Sequence, residues 1–141
     1  MAANSLITGV AHLGIRVHDL ARSREFYQLL GFEFIIGPVG PEPVAVLKHP
    51  AGVEINLILN ADESSAKNIL MDIEEKHAGY THVALAIRDV VEAKTVLDEA
   101  NIPITGGPTN YPNGARGLFV RDPDRNVVEF YQPADSQRPD A

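Results

Sequence analysis

The sequence contains no cysteine, which excludes disulfide bonds, thiolate metal ligands and a thiol nucleophile. Any metal would therefore be bound through nitrogen and oxygen. No apolar run approaches the roughly 20 residues that are needed to cross a bilayer. The segment from Met1 to Ser5 has neither the basic residues nor the long apolar stretch of a signal peptide. We therefore expect a cytoplasmic protein with no membrane partner.

Basic residues are also scarce. The chain has 12 Lys and Arg against 19 Asp and Glu, which gives a formal net charge of -7, and its basic residues are scattered. Because nucleic-acid binding needs clustered Lys and Arg at the phosphates, we predict no nucleic-acid partner and expect a small-molecule substrate instead. A length of 141 residues with 45% hydrophobic residues is typical of one globular domain.

What the sequence does contain is an internal repeat. Residues 9–20 and 79–90 align without a gap, so that His12 matches His82 and Asp19 matches Asp89. The apolar residues of both segments fall on the same alternate positions, which predicts a strand followed by the N-cap of a helix. A repeat of this kind indicates a fold built from equivalent units.

We predict a single domain, residues 1–141, made of modules 7–60 and 79–132 joined by a connector at 61–78. The predicted strands are at residues 9–17, 32–36, 44–48, 52–59, 80–87, 102–105, 116–121 and 127–131, and the predicted helices at 20–30 and 89–100. Glycine, proline and asparagine dominate residues 106–114, so we interpret this stretch as a loop. The predicted fold class is α+β, with paired βαβββ modules whose curved mixed sheets form a cleft.

Three side chains on these strands have the chemistry of metal ligands. His12 and His82 alternate with apolar residues that pack against the helices, and Glu129 shares its face with Val127 and Tyr131. If the sheets curve around a shared cleft, the two histidines and Glu129 meet there. Two imidazoles and one carboxylate suit a divalent first-row metal, including the facial arrangement of non-haem Fe(II). Such a metal would polarise substrate oxygens as a Lewis acid.

These residues resemble the vicinal oxygen chelate superfamily, which holds glyoxalase I, extradiol dioxygenases, fosfomycin-resistance transferases and bleomycin-resistance proteins. The resemblance covers about residues 7–132. Its most specific segments are His12 to Val17 with Asp19-Leu20, Phe26-Tyr27 through Leu30-Gly31-Phe32, and Asp122 to Phe130. The family usually has glycine where Arg125 stands. The resemblance implies a metal in the cleft between paired modules, a substrate that chelates it through two adjacent oxygens, and frequent homodimers.

The resemblance also implies that the ligands come from the first and last strands of the modules, which carries over His12, His82 and Glu129. The fourth ligand is either Glu54 or Asn56, which share one face of residues 52–57.

Aligning Pro50 with Pro123 places Asn56 opposite Glu129. If Asn56 is the ligand, the set becomes two histidines and one carboxylate, as in the dioxygenases. A neutral amide cannot act as a base, so Glu54 or Glu129 would then have to serve.

The leading functional prediction is a metal-dependent lyase or isomerase of the glyoxalase type, with Glu129, Glu54 and Tyr131 as catalytic residues. Tyr131 is either a proton donor beside the metal or a structural strand aromatic. Zn, Ni or Co would support this chemistry, whereas Fe or Mn with oxygen uptake would support an extradiol dioxygenase. The last three strands lack the further histidine that is typical of extradiol enzymes.

Two other functions stay open. One is a protein of the bleomycin-resistance type that binds a drug without catalysis, for which an acidic surface would attract a cationic ligand. The other is fosfomycin-type thiol transfer, for which Arg16, Arg116 and Arg121 are the candidate phosphonate ligands.

Overall fold

The computed structural model of the chain describes residues 5–62 and 67–137. The chain forms two compact units, Met1–Ser64 and Ser65–Ala141. Each unit contains one strand, one helix and three further strands in that order. The predicted α+β class with paired βαβββ modules is therefore confirmed. The assignment of both modules to a single domain, with residues 61–78 as the connector, stays a prediction.

The first unit contains one four-stranded mixed sheet. Its elements are β1 (Leu13–Arg16), α1 (Leu20–Leu29), β2 (Glu33–Val39), β3 (Val44–Lys48) and β4 (Glu54–Ile58). The strand order is β1-β4-β3-β2, with β1 parallel to β4 and the other pairs antiparallel. Alternate residues of β3 and β4, such as Leu47 and Ile55, are buried, as the period of two requires. Asp19 caps α1 by accepting from the Arg22 N–H at 3.1 Å.

The second unit repeats this arrangement. Its elements are β5 (His82–Ala86), α2 (Val90–Glu99), β6 (Gly106–Asn110), β7 (Arg116–Arg121), β8 (Val127–Gln132) and a short 3-10 helix (Asp135–Gln137). The strand order is β5-β8-β7-β6, with β5 parallel to β8. Asp89 caps α2 by accepting from the Val91 N–H at 2.8 Å. Neither of the two α-helices in the described residues is long and apolar enough to cross a membrane.

The structure corrects the prediction for residues 102–114. Residues 102–105 do not form a strand, whereas Gly106–Asn110, within the predicted loop, form β6 and pair with β7. The composition hides this strand because glycine, proline and asparagine are poor strand formers. Residues 106–110 become extended because they form hydrogen bonds with β7. This pairing outweighs their low intrinsic preference for a strand.

Both β2 and β6 lie at an edge of their sheet and are interrupted by a Gly-Pro pair. The ladder shifts register between Gly106 and Thr109 in β6, and the corresponding part of β2 shifts twice between Phe34 and Val39. Such shifts are β-bulges, which bend the strand locally. Proline is tolerated at these points because an outer strand has no second neighbour that needs its missing N–H.

A cluster of charged residues joins Asp72, which lies between β4 and β5 in the chain, to the turn before β8. The Asp72 carboxylate accepts from Arg125 Nε at 2.6 Å, from Arg125 Nη2 at 3.0 Å and from Arg121 Nη1 at 2.9 Å. The Arg125 guanidinium, aided by the Asn68 N–H and by Arg121, holds the pKa of Asp72 well below its usual range although burial opposes this. Arg125 has a φ of +64° where the first module has Gly52 at +94°. Arg125 thus adopts a left-handed backbone, which is unfavourable for a residue with a side chain, and that side chain forms the ion pair with Asp72.

Candidate functional site

The second unit brings together two of the predicted ligands, His82 and Glu129. Ala84 pairs with Glu129 across the parallel β5–β8 ladder, and His82 lies two residues before Ala84. His82 and Glu129 therefore project from the same face. His82 Nε2 lies 3.2 Å from Glu129 Oε1. Glu129 is only 5% exposed, whereas a third of the His82 side chain remains accessible.

The other ring nitrogen of His82 is also engaged. Nδ1 lies 2.8 Å from the Thr81 hydroxyl oxygen, and the ring packs edge-on against Phe119 with centroids 5.8 Å apart. When Nδ1 carries the proton and donates to Thr81, Nε2 presents its lone pair on the side of Glu129. Metal-binding histidines are oriented in this way by a partner on their second nitrogen.

Tyr111 binds the second oxygen of Glu129. Its hydroxyl donates to Glu129 Oε2 at 2.7 Å. This hydrogen bond, together with burial, raises the pKa of Tyr111 to about 12, because loss of the proton would place a second negative charge beside the carboxylate. Tyr111 therefore stays protonated at neutral pH. Gly117 on β7 leaves the space for this contact, since a Cβ there would lie 2.7 Å from Glu129 Oε2.

These side chains line an open cavity of about 530 Å³. The lining residues are His82, Tyr111, Pro112, Asn113, Phe119, Glu129 and Tyr131. The rings of Tyr111 and Tyr131 stack with centroids 6.0 Å apart. The Tyr131 hydroxyl donates to Gln137 Oε1 and accepts from Asn113 Nδ2, both at 3.2 Å. Aromatic walls with a few convergent polar groups are typical of small-molecule sites.

In the first unit, His12 and Glu54 are neighbours. His12 directly precedes β1 and its Nδ1 lies 3.9 Å from Glu54 Oε2, while Lys48 Nζ lies 3.6 Å from Glu54 Oε1. The Glu54 carboxylate is thus placed between an imidazole and an ammonium group. Lys48 is a cation already present at this carboxylate and would repel a metal ion there.

Asn56 occupies the position in the first unit that Glu129 occupies in the second. Gly14 pairs with Asn56 as Ala84 pairs with Glu129. Gly14 lies two residues after His12, and Ala84 lies two residues after His82. Asn56 Oδ1 is buried and has no hydrogen-bond partner within the described residues. An unsatisfied buried acceptor costs about 1–3 kcal/mol, so this oxygen is of the type that a bound cation or water would satisfy.

The predicted site residues therefore have different placements. The structure pairs His82 with Glu129 in the second unit and His12 with Glu54 in the first, and it places Tyr131 in the cavity wall. Within residues 5–62 and 67–137, no three His, Asp or Glu side chains form a group that could hold a metal ion. Assembly of the complete predicted ligand set stays a prediction.

The arginines considered for phosphonate binding are engaged elsewhere. Arg16 donates to Asn60 Oδ1 at 2.8 Å, Arg116 donates to Asn110 Oδ1 at 2.9 Å, and Arg121 donates to Asp72. None of the three lines the cavity beside Glu129. This arrangement gives no support to fosfomycin-type transfer.

The sequence pattern does not predict the role of Tyr111. This residue lies in the Gly/Pro/Asn stretch of residues 106–114, where no periodicity assigns a direction to a side chain. The one sequence feature that indicates a role for Tyr111 is that it is an aromatic residue among small and polar residues. This segment directly precedes β7, the strand that pairs with the strand of Glu129. Aromatic residues in such loops are frequently held there by a specific contact.

Comparison with known proteins agrees with this fold. A curated relative, the glyoxalase domain-containing protein RDO1 of Mycosarcoma maydis, is 27% identical over 135 residues, which cover 91% of this chain and 71% of the relative. A glyoxalase/dioxygenase structure from Nostoc punctiforme superposes with a TM-score of 0.72 at 25% identity, covering 96% of this chain and 97% of that one. A glyoxalase family protein from Enterococcus faecalis gives 0.73 at 20% identity, covering 88% and 97% respectively. The sequence model of one family matches residues 9–130, and the chain belongs to that family, the Glyoxalase/Bleomycin resistance protein/Dioxygenase superfamily.

Proposed function

We propose that this chain is a divalent-metal-dependent enzyme that binds a small substrate through two adjacent oxygen atoms and performs glyoxalase-like lyase or isomerase chemistry. The observation that carries the proposal is the approach of His82 Nε2 to Glu129 Oε1 at 3.2 Å. Two ligands at right angles on one cation are about 3 Å apart when each bond is about 2.1 Å. Membership of the superfamily supports the same chemistry.

His82 and Glu129 would hold the metal from the second unit. The sequence prediction completes the set with His12 and with Glu54 or Asn56. The unsatisfied Oδ1 favours Asn56, because Glu54 already interacts with Lys48. Nitrogen and oxygen ligands of this kind fit Zn, Ni, Co, Fe or Mn. When bound, the metal would act as a Lewis acid on the substrate oxygens.

Glu129 is the proposed general base. Its carboxylate is buried in the cavity wall, where it would take a proton from a substrate carbon next to a carbonyl group. Tyr111 donates to the far oxygen and keeps its own proton, so it does not compete as a base. Phe119 and the stacked tyrosines would exclude water from the apolar part of the substrate. Tyr131 and Glu54 stay as further candidate catalytic residues from the sequence.

Metal analysis tests the proposal directly. Protein purified without chelators should contain a divalent metal, and His82→Ala and Glu129→Ala should lose most of it. His12→Ala tests the prediction for the first unit. His77→Ala is the matched control, since this half-exposed histidine lies beside Glu75 on the connector. Equal metal content in all variants would contradict the proposal.

The reaction class is tested by deuterium incorporation. A metal-loaded isomerase should exchange the proton next to the carbonyl of a 2-oxoaldehyde–thiol adduct in deuterated water, and Glu129→Gln should abolish the exchange. Oxygen uptake with a catechol, supported by Fe(II) or Mn(II), would instead assign the extradiol dioxygenase alternative.

The cavity walls favour one second candidate, a protein that binds an aromatic drug or metabolite without catalysis. Tyr111, Tyr131 and Phe119 offer stacking surfaces that need no metal. In that case, metal-free protein and Glu129→Ala would bind an aromatic ligand as tightly as untreated protein. We also propose a cytoplasmic homodimer, which light scattering and cell fractionation would test.

A further inference from the structure

We infer that Tyr111 is a positioning residue for Glu129. The Tyr111 hydroxyl fixes the Glu129 carboxylate so that Oε1 faces His82 Nε2, and this orientation strengthens metal binding. The inference rests on the proposed function, because it assigns a purpose to the geometry around one proposed ligand.

The two oxygens of Glu129 have separate partners. Oε2 accepts from the Tyr111 hydroxyl at 2.7 Å, and Oε1 lies 3.2 Å from His82 Nε2. The last torsion of a glutamate is intrinsically broad, so the carboxylate plane has no strong preference of its own. A short, charge-assisted hydrogen bond to one oxygen removes that freedom. The other oxygen is then directed toward the imidazole.

Tyr111 is itself held in place from several sides. Its N–H donates to the Ala115 carbonyl at 2.8 Å and its carbonyl accepts from the Gly114 N–H at 3.0 Å, which fixes the turn that carries it. Its ring stacks on Tyr131, and the hydroxyl of Tyr131 is bonded to Asn113 and Gln137. The donor is thus preorganised rather than recruited by the carboxylate.

Burial makes this contact strong. Glu129 is only 5% exposed, so few water molecules compete with Tyr111 for Oε2. Hydrogen bonds are stronger in a low-dielectric interior, and removing a group that orients a metal ligand typically weakens metal binding about 10- to 100-fold.

The test compares Tyr111→Phe with Tyr80→Phe. Tyr111→Phe removes one oxygen and keeps the stacked ring, while Tyr80 is 99% exposed and serves as the matched control. Co(II) is titrated into metal-free protein in competition with a chelator, and its visible spectrum is recorded. Tyr111→Phe should bind Co(II) about 10- to 100-fold more weakly, with an altered spectrum because the carboxylate is reoriented. Tyr80→Phe should match the wild type in both measurements.

Gly117→Ala provides a second route to the same contact. Its methyl group would lie 2.7 Å from Glu129 Oε2 and 2.8 Å from the Tyr111 hydroxyl oxygen, so it separates the pair without removing either partner. Far-UV circular dichroism confirms that each variant is folded. Weakened Co(II) binding in both variants is the expected result.

Co(II) titration of Glu129→Ala distinguishes the ligand role of Glu129 from the positioning role of Tyr111. If Glu129→Ala binds Co(II) like the wild type, the proposed ligand role fails. If Glu129→Ala loses Co(II) while Tyr111→Phe keeps wild-type affinity and spectrum, the positioning role of Tyr111 is overturned and the ligand role stands.

Discussion

Replacing Gly117 with alanine would place a methyl group against two side chains that are bonded to each other. The new Cβ would lie 2.7 Å from Glu129 Oε2 and 2.8 Å from the Tyr111 hydroxyl oxygen, whereas ordinary van der Waals contact is 3.4–4 Å. Both atoms must therefore retreat by more than half an ångström, to judge from these distances. Because they also bond to each other at 2.7 Å, their retreat disrupts that bond.

The magnitude follows from three terms. Loss of a hydrogen bond to a charged group costs about 1.5–3 kcal/mol. Overpacking costs about 1–3 kcal/mol, but the two terms overlap because breaking the bond relieves the crowding. Replacing glycine by alanine returns about 0.4–1 kcal/mol through the unfolded state. We expect the free energy of unfolding to fall by about 2 kcal/mol, which corresponds to a Tm lower by about 6 °C in a domain of this size.

Urea denaturation measures this change, with Gly106→Ala as the control. A Cβ at Gly106 would meet Phe119 Cδ2 at 3.5 Å, which is ordinary contact, so this variant should be unchanged or slightly more stable. In a Tyr111→Phe background the cost of Gly117→Ala should shrink, because one of the three crowded atoms, the Tyr111 hydroxyl oxygen, is gone. Equal stability of Gly117→Ala and Gly106→Ala would show that the Tyr111–Glu129 contact is not disturbed by a methyl group at residue 117.

Three ionisable side chains give further predictions. Glu129→Gln should bring the pKa of Tyr111 from about 12 toward 10.0, as measured by tyrosinate absorbance in metal-free protein, and an unchanged titration would contradict the assigned cause. Because Arg125 holds the pKa of Asp72 below its ordinary 3.8, the ion pair stabilises the fold above that pH and this contribution is lost as the pH falls below it. Urea midpoints between about pH 5 and pH 2 should therefore fall less steeply for Asp72→Asn than for the wild type, and parallel curves would show that the pair contributes nothing. Asp89→Ala should destabilise the protein by about 1 kcal/mol in urea while Asp89→Asn retains most of the cap, and equal losses would argue against capping.

Alternation of apolar residues predicted most of the strands. Val44–Lys48 and Arg116–Arg121 have the predicted bounds, because their buried hydrophobic side chains follow the period of two. The helices begin directly after Asp19 and Asp89, as the capping chemistry indicates. Residues 106–110 could not be predicted in this way, since their extended form comes from pairing with β7 rather than from their own side chains.

The repeat and the alternation of the strands account for what was predictable at the site. The repeat gives His12 and His82 equivalent positions, and alternation places Glu129 on one face with Val127 and Tyr131. The ladder register gives Asn56 the place of Glu129. The contact of Tyr111 with Glu129 could not be predicted, since it joins a turn to a strand across 18 residues with no repeating pattern. The interaction of Lys48 with Glu54 likewise depends on an antiparallel register that the sequence does not display.

The Gly-Pro bulges of β2 and β6 have a consequence for the protein at high concentration. Both strands lie at the rim of their sheets, where a straight ladder of free N–H and C=O groups would template the addition of another chain. At Pro38 and Pro108 the backbone offers no donor, and the register shifts bend the rim out of line. A strand from a neighbouring molecule therefore meets a broken template, which disfavours edge-to-edge aggregation and cross-β growth at these two edges.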